Sequence, residues 1–518
     1  MKNIIKKITS AALITTVIMG SGCAKMDQFG TINQDPNGVS VPIPSALLTQ
    51  VESNVGGYAA VLRTAVYAQY IAENQYTEVS LYSLPLLEMS ATYYGDLNDL
   101  QTIINYNADP KTASAATAYG SNANQIAVAR ILKAFIFWQT TDRWGDVPYS
   151  EALKGASNLT PKFDKQEDIY FDLLKELKEA VAQFDNGAQA KGDIIFGSTS
   201  DANTIANWKK AANSMRMIMA MRLSGRYPAA GGKAAVEFAN AANDVNGHIT
   251  SNADNFTVTY FGGAYKNPWY LTYETRDDYA SSKTMGDVLN GLSDTRISAF
   301  GTNTTMFPYG LTRDLAVQYG NSVGNAQSRV LRADLRTATS PVVIISASSV
   351  LLARAEAKER NWIAGGTAGA ELDYNAGVTA SFAQWGLTIP AGYLAGAANY
   401  QTGVGVPGSI GAGTAPYDNF RIVITPAENN IQDAATTTPL ARIALQRWLA
   451  GFPNGNEGWA EQRRTGVPNL KTTRFKTGPF VTRYVYGNTD YGLNNVNTTE
   501  AATRIGGDKQ DTHVWWDL

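Results

Sequence analysis

From residue 126 to residue 138 nearly every position is apolar, and only Arg130 and Lys133 interrupt the run. At about 100° per residue, Asn122, Arg130, Lys133 and Thr140 fall on one narrow side of a helix. Ile, Val, Leu, Phe and Trp cover the remaining circumference. A helix this apolar is stable in water only inside a larger bundle. Fully burying each large side chain contributes roughly 1.5–3 kcal/mol, so this helix can seed a core. Gly145 then turns the chain, and Pro148 forces an extended exit.

Other stretches follow the same period. Helices are expected over residues 45–73 and 121–142, with an aperiodic, tyrosine-rich stretch between them at 76–94. Asp164-Lys165-Gln166-Glu167 has the form of a capping box opening a helix through Ile169, Leu173, Leu174 and Leu177. A further helix is expected over 203–224, stopped by Gly225 and Pro228. Its methionines, Met215, Met217, Met219 and Met221, alternate and so cannot share one face; they read as gap-filling core on two sides. Near 346 a helix with Ala353 and Ala357 four apart would let a partner at 371–385 approach closely. Another helix is expected at 441–449. Helix pairs with short connections suit tetratricopeptide-like stacking. Residues 255–285 alternate briefly and then fill with Tyr, Trp, Asn and Arg, while 387–437 read as a Gly/Ala/Pro-rich loop. No strong strand precedes the glycines at 403, 405, 408, 411 and 413, so a phosphate cradle has little support.

With 518 residues, 44% of them hydrophobic, the chain can bury a large core. A net charge of −2 with only 17% charged residues gives no footprint for nucleic acid. The 26 Tyr and 10 Trp suit half-wet positions, where a ring packs and its polar edge meets water. Cys23 is the only cysteine, which excludes an intrachain disulfide, and only His248 and His513 could supply imidazole. Nothing calls for a metal or another cofactor. Lys2, Lys6 and Lys7 precede an apolar run at 8–19, about a dozen residues and short of the roughly 20 that span a bilayer. Gly20-Ser21-Gly22-Cys23 resembles a bacterial lipobox, with Gly20 where Leu is usual. The expected organisation is therefore a lipoprotein-type signal peptide at 1–22, a tether at 23–44 carrying acyl chains on Cys23, and one domain at 45–518.

Several motifs also resemble one family. Asp142, Trp144, Gly145, Asp146, Val147, Pro148 and Tyr149 fill a D-x-(aromatic)-G-D-(apolar)-P-(aromatic) turn. Asn33 to Asn37, the NPW at 267–269 followed by RDDYASSKTM, and the A-E-A helix with its partner fit the same pattern. So does Leu292-Ser293-Asp294-Thr295-Arg296, where Thr295 replaces the usual proline. Glu457, Trp459, Glu461, Arg463, Arg464, Thr465, Gly466 and Pro468 form a closing E-x-W-x-E-x-R-R-T-G-x-P motif, whose charges fit an ion-paired structural corner. Together these stretches resemble the SusD/RagB family of outer-membrane lipoproteins. The resemblance implies a mainly α fold, with tetratricopeptide-like helix pairs in one SusD-like domain with long irregular loops. It further implies docking as a lid on a TonB-dependent, SusC-like barrel, probing the cell exterior for oligosaccharide or, in some members, peptide.

Two function classes remain in view. Glu274, Asp277 and Asp278 lie together among aromatics, and a paired-carboxyl glycosidase needs two such groups in a cleft. Acidic clusters on loops are mostly solvated, and no serine stands in a G-x-S-x-G elbow. Binding asks less: aromatic planes for the C–H face of a sugar, and a few polar anchors for its hydroxyls. The candidate ligand contacts are Tyr76, Tyr82, Tyr93 and Tyr94 from the first irregular region. Trp269, Tyr270, Tyr273, Arg276, Asp277 and Tyr279 come from the second. The expected function is capture of a nutrient oligomer, most simply an oligosaccharide, by a protein that is not an enzyme; the alternatives are peptide uptake and glycoside hydrolysis.

Overall fold

The structure is a computed structural model that describes residues 41–83, 87–197, 200–301, 305–318, 320–401, 438–468, 470 and 480–518. The expected signal peptide, Cys23 with its lipobox, the Asn33 to Asn37 motif and the glycine run at 403–413 lie outside the described residues. Residues from Pro44 to Leu518 form one compact unit. Among the described residues, no helix is long and apolar enough to cross a membrane.

Helices dominate. The longer ones are α1 (Pro44–Ala59), α2 (Asn98–Ala108), α3 (Asn122–Trp144), α4 (Gln166–Gln183), α5 (Asp201–Arg222) and α6 (Lys233–Ala242). After them come α7 (Lys283–Gly291), α8 (Ala347–Glu359), α9 (Gly366–Gln384), α10 (Pro439–Gly451), α11 (Gly455–Thr465) and α12 (Asn495–Arg504). Successive helices pack as hairpins: α2 on α3, α3 on α4, α5 on α6, α8 on α9, and α10 on α11. α5 also touches α8, and α8 touches α10, so the pairs join into one stack. The apolar circumference of α3 explains its central place: Ile131, Leu132, Ile136 and Trp138 are all buried. The four methionines of α5 are buried on both of its sides. The closest approach of α8 and α9 depends on Gly377, where a Cβ would stand 2.8 Å from the Leu352 side chain.

Two local expectations fail for identifiable reasons. The single helix expected over 45–73 is broken: α1 ends at Ala59, a short helix covers Leu62–Tyr67, and Ile71–Glu73 is a strand, β1. Gln69 takes a left-handed φ of 55°, which no helix continues through. Every residue of β1 is buried, so the apolar run shows no alternation to distinguish it from helix. The capping box before α4 is also absent. Lys165 occupies the N-cap position without a side-chain hydrogen bond. Asp164 instead accepts from the backbone N–H groups of Tyr149 (3.2 Å) and Ser150 (2.7 Å). The first N–H of α4, on Gln166, donates to Asp146 at 2.8 Å, so the turn after α3 supplies the cap.

Short antiparallel ladders stitch the loops to this stack. β2 (Val147–Pro148) pairs with β3 (Phe163–Asp164), and β4 (Phe256–Val258) pairs with β6 (Val342–Ile345). β1 pairs with β5 (Tyr279–Ser281), with Ile71 opposite Ser281 and Glu73 opposite Tyr279.

The motif residues meet at a buried charged corner. Arg464 bridges Glu356 on α8 (2.7 Å) and Glu461 on its own helix (2.6 Å). Glu356 also takes Arg360 at 2.9 Å, and Glu461 takes Arg447 at 3.0 Å. Burial alone would raise the Glu356 carboxyl, but the Arg464 and Arg360 guanidiniums hold it well below the usual range. Nearby, Arg222 pairs with Glu457 at 2.9 Å, and Trp516 donates to Asp142 at 2.8 Å. Arg463 lies 3.7 Å over the Trp459 ring and donates to the Asp142 carbonyl. The ion-paired corner expected of the closing motif is present.

Candidate functional site

The β1–β5 ladder brings the two aromatic stretches of the sequence side by side. Past Glu73 and Tyr279 the pairing continues for one more bond, with the Asn74 N–H donating to the Asp278 carbonyl at 2.8 Å. This sets Tyr76 beside Arg276. The Tyr76 ring is 60% exposed, and the Arg276 guanidinium lies over it at 5.0 Å from the centroid. Arg276 in turn pairs with Asp278 at 2.8 Å.

The loop that presents Tyr76 is closed by a reciprocal pair. The Ser80 N–H donates to the Glu73 carboxylate at 2.9 Å, and the Glu73 N–H donates to the Ser80 hydroxyl at 3.1 Å. Burial pushes the Glu73 carboxyl up to about 7, against the lowering effect of those donors. Tyr279, half-buried opposite Glu73, is pushed up to about 12, first by burial and then by Glu73. A third segment closes the edge, because Arg313 donates to the Gln75 side chain at 3.0 Å. Gln75, Arg313 and Glu73 were not singled out from the sequence. Arg313 and Gln75 carry no aromatic or motif signal, and the helical pattern over 45–73 hides the strand that ends at Glu73.

The remaining candidates divide by depth. Asp277 is gripped by Arg329 through two bonds of 2.5 and 2.7 Å, next to the exposed edge. Tyr273 is buried beneath it, with the Arg329 and Arg336 guanidiniums 5.5 and 4.5 Å from its ring centre and its hydroxyl accepting from the Val330 N–H. Tyr82 is also buried, packed on Tyr67, Tyr309 and Phe480, and offers no ring face outward. Tyr93 sets its ring against Phe137 of α3 and donates to the Pro148 carbonyl at 2.6 Å. Its neighbour Tyr94 is 77% exposed. Tyr270 is half-buried beneath Lys266, which also pairs with Glu274. Trp269, on the short Pro268–Thr272 helix, faces the interior and is 1% exposed. Among the described residues, no group of three or more His, Cys, Asp or Glu could hold a metal ion.

Residues 36–487 match a family model described as starch-binding, associating with the outer membrane. The chain belongs to the SusD-like family. Solved structures agree over nearly its whole length. A SusD homologue from Bacteroides uniformis is 25% identical with a TM-score of 0.72, over 92% of this chain and 99% of that one. A chain described as a chitin-binding protein is 26% identical with a TM-score of 0.67, over 92% of this chain and 100% of that one. A chitin-binding SusD homologue from Flavobacterium johnsoniae is 22% identical with a TM-score of 0.70, over 92% and 98% of the two chains. No curated protein matches the chain. Within this SusD-like chain, the Asp142 to Tyr149 turn and the Glu457 to Pro468 motif hold the helices together. The exposed aromatic edge lies on the segments between the helix pairs.

Proposed function

We propose that the protein is a lipid-anchored outer-membrane binder that captures a glycan on the Tyr76–Arg276 edge and delivers it to a TonB-dependent SusC-like transporter. The observation that carries the binding step is the exposed Tyr76 ring backed by the Arg276 guanidinium, with Asp278 and Gln75 alongside. An open ring face takes the C–H side of a pyranose, and the flanking polar groups have capacity left for hydroxyls. The family description, starch-binding and associating with the outer membrane, supports a glycan as ligand. The names of two structural neighbours as chitin-binding proteins support it further and favour β-linked amino sugars as the first class to test.

Binding without cleavage is the better reading of the acidic cluster. Asp277 is held by Arg329, Asp278 by Arg276 and Glu274 by Lys266. A glycosidase needs one carboxyl kept as a proton donor and a second free across the scissile bond, which three cation-paired carboxylates serve poorly.

Calorimetric titration with chito-oligosaccharides and malto-oligosaccharides tests the reading. Tyr76→Ala is expected to weaken the preferred glycan about tenfold, equivalent to about 1.4 kcal/mol, while the melting temperature stays put. Binding only to peptides, or product release from the glycan, would remove it. Co-purification of a barrel from outer membranes checks the delivery step, and mass spectrometry of the mature N-terminus checks acylation of Cys23.

A further inference from the structure

A groove that shares no residue with the Tyr76–Arg276 edge lies between α4 and α6. Both helices pack on α5, and the space left between them is about 510 Å³. Clefts of roughly 300–1,000 Å³ accept ligand-sized groups, so the groove exceeds what a lone ion or water needs. Its floor is apolar: Leu174 is buried, Phe171 half-buried and Val236 50% exposed. Its rim is cationic, with Lys175 and Lys178 on α4 and Lys233 on α6, all three exposed.

The rim charges are not balanced locally. Lys175 has Glu179 at 3.6 Å and Asp172 at 4.0 Å. Lys178 and Lys233 meet no carboxylate among the described residues. Glu237, the acid of the wall, is spent on the buried Arg216 at 2.7 Å. Asp168, the next acid along this face of α4, lies outside the wall. Lys233 also opens α6, whose first turn has no acidic residue and whose N-cap, Gly232, makes no side-chain hydrogen bond. A cation there adds to the positive end of the helix dipole, a placement that costs stability and that an anionic partner would offset.

The floor narrows the class of partner. Tyr227 and Trp515 lie against the Phe171 ring at 5.9 and 6.3 Å, and the Lys233 ammonium sits over it at 4.7 Å. That ring offers little open face, so the floor suits an aliphatic side chain more than a sugar. A flat membrane surface would not reach Leu174 at the bottom of the groove. An extended peptide would, because its successive side chains point to opposite sides, and acids beside an aliphatic residue would meet the rim.

We infer that the groove between α4 and α6 docks an extended acidic segment of another protein, with an aliphatic side chain between Leu174 and Val236 and carboxylates on Lys178 and Lys233. This docking site goes beyond the glycan edge and does not depend on it.

Fluorescence anisotropy of the full-length protein with the labelled peptide Glu-Glu-Leu-Glu-Leu-Glu-Glu, at low salt, tests the inference. The peptide is expected to bind, and its counterparts with Gln for Glu, or with Ser for Leu, should each bind about tenfold more weakly or worse. The double variant Lys178→Glu, Lys233→Glu should also lose about tenfold or more, while its melting temperature and glycan affinity stay at the wild-type values. Tyr76→Ala should leave peptide binding unchanged. Absence of binding by the acidic peptide would overturn the inference, and so would binding that survives the double variant. Equal binding of the Ser counterpart would reduce the groove to unspecific charge. Loss of the peptide in Tyr76→Ala would move it to the outer edge. Silence with the peptide, alongside binding to phosphatidylglycerol vesicles that the double variant abolishes, would make the surface a membrane contact instead.

Discussion

Arg464 and Arg276 both meet carboxylates, and they do opposite work. The Arg464 side chain is 2% exposed and has carboxylates on two sides, Glu356 and Glu461, each of them buried as well. The Arg276 side chain is 56% exposed, with Asp278 on one side and the Tyr76 ring below. In the first setting every donor is spent on a fixed partner and burial keeps the pairs from bulk solvent, so the group holds helices in register. In the second, water competes for the same bonds, each contact is weak, and donors remain for a ligand. The same residue type is a brace at the corner and, on the function proposed above, a ligand contact at the edge because burial differs.

The sharpest way to break that contrast is to remove the brace. Arg464→Met leaves Glu356 and Glu461 buried with their main partner gone. Losing one member of a buried pair typically costs about 3–5 kcal/mol, and the expected loss here lies in that range. Urea denaturation measures it directly. A loss below about 1 kcal/mol would mean that water reaches the corner and that its ion pairs behave like surface ones.

The sequence made these two regions unequally readable. Glu457, Glu461 and Arg464 lie within three turns of one helix, so their spacing alone implies a charged face aimed at a neighbour. The apolar circumference of α3 likewise predicts its central burial without further information. The edge is assembled from Gln75, Tyr76, Arg276, Asp278 and Arg313, which only the β1–β5 pairing brings together. That ladder has a three-residue strand buried at every position, so it leaves no alternation to find. Nor does the sequence distinguish Tyr76 from Tyr82. Both stand in one polar, tyrosine-rich stretch, yet Tyr82 takes a φ of 58° and turns into the core while Tyr76 stays outside. Trp269 is a similar case, because Asn267 and Pro268 fix a short helix whose tertiary ties to Ser340 direct the ring inward.

A second measurement bears on how the edge is held. Glu73 closes the Tyr76 loop from a buried position, and its carboxyl sits at about 7, above the usual 4.5, because burial penalises the charge. The folded protein therefore favours the protonated form. That contribution is present in full below about pH 4.5 and is lost as pH rises through about 7. Glu73→Gln keeps an acceptor for the Ser80 N–H and removes the charge. The variant is expected to match the wild type in stability near pH 4.5 and to exceed it by on the order of 2 kcal/mol at pH 8.5. Parallel stability curves across that range would show that Glu73 titrates normally and that the loop is wetter than its burial indicates.

The smallest effect is expected from Arg276 itself. Arg276→Gln removes an exposed ion pair with Asp278 and an exposed cation–π contact with Tyr76, each worth roughly 0.5–1 kcal/mol or less. Stability should change by no more than about 0.5 kcal/mol, because water replaces what is lost. Glycan affinity should fall by about threefold, since the ring loses its backing and the ligand loses one donor. The ratio of the two changes is what matters. At the corner, an arginine substitution costs folding first. At the edge it should cost binding and leave folding nearly untouched. If Arg276→Gln destabilised the protein as much as it weakened binding, the edge would be a second brace, and the difference drawn from burial would not hold.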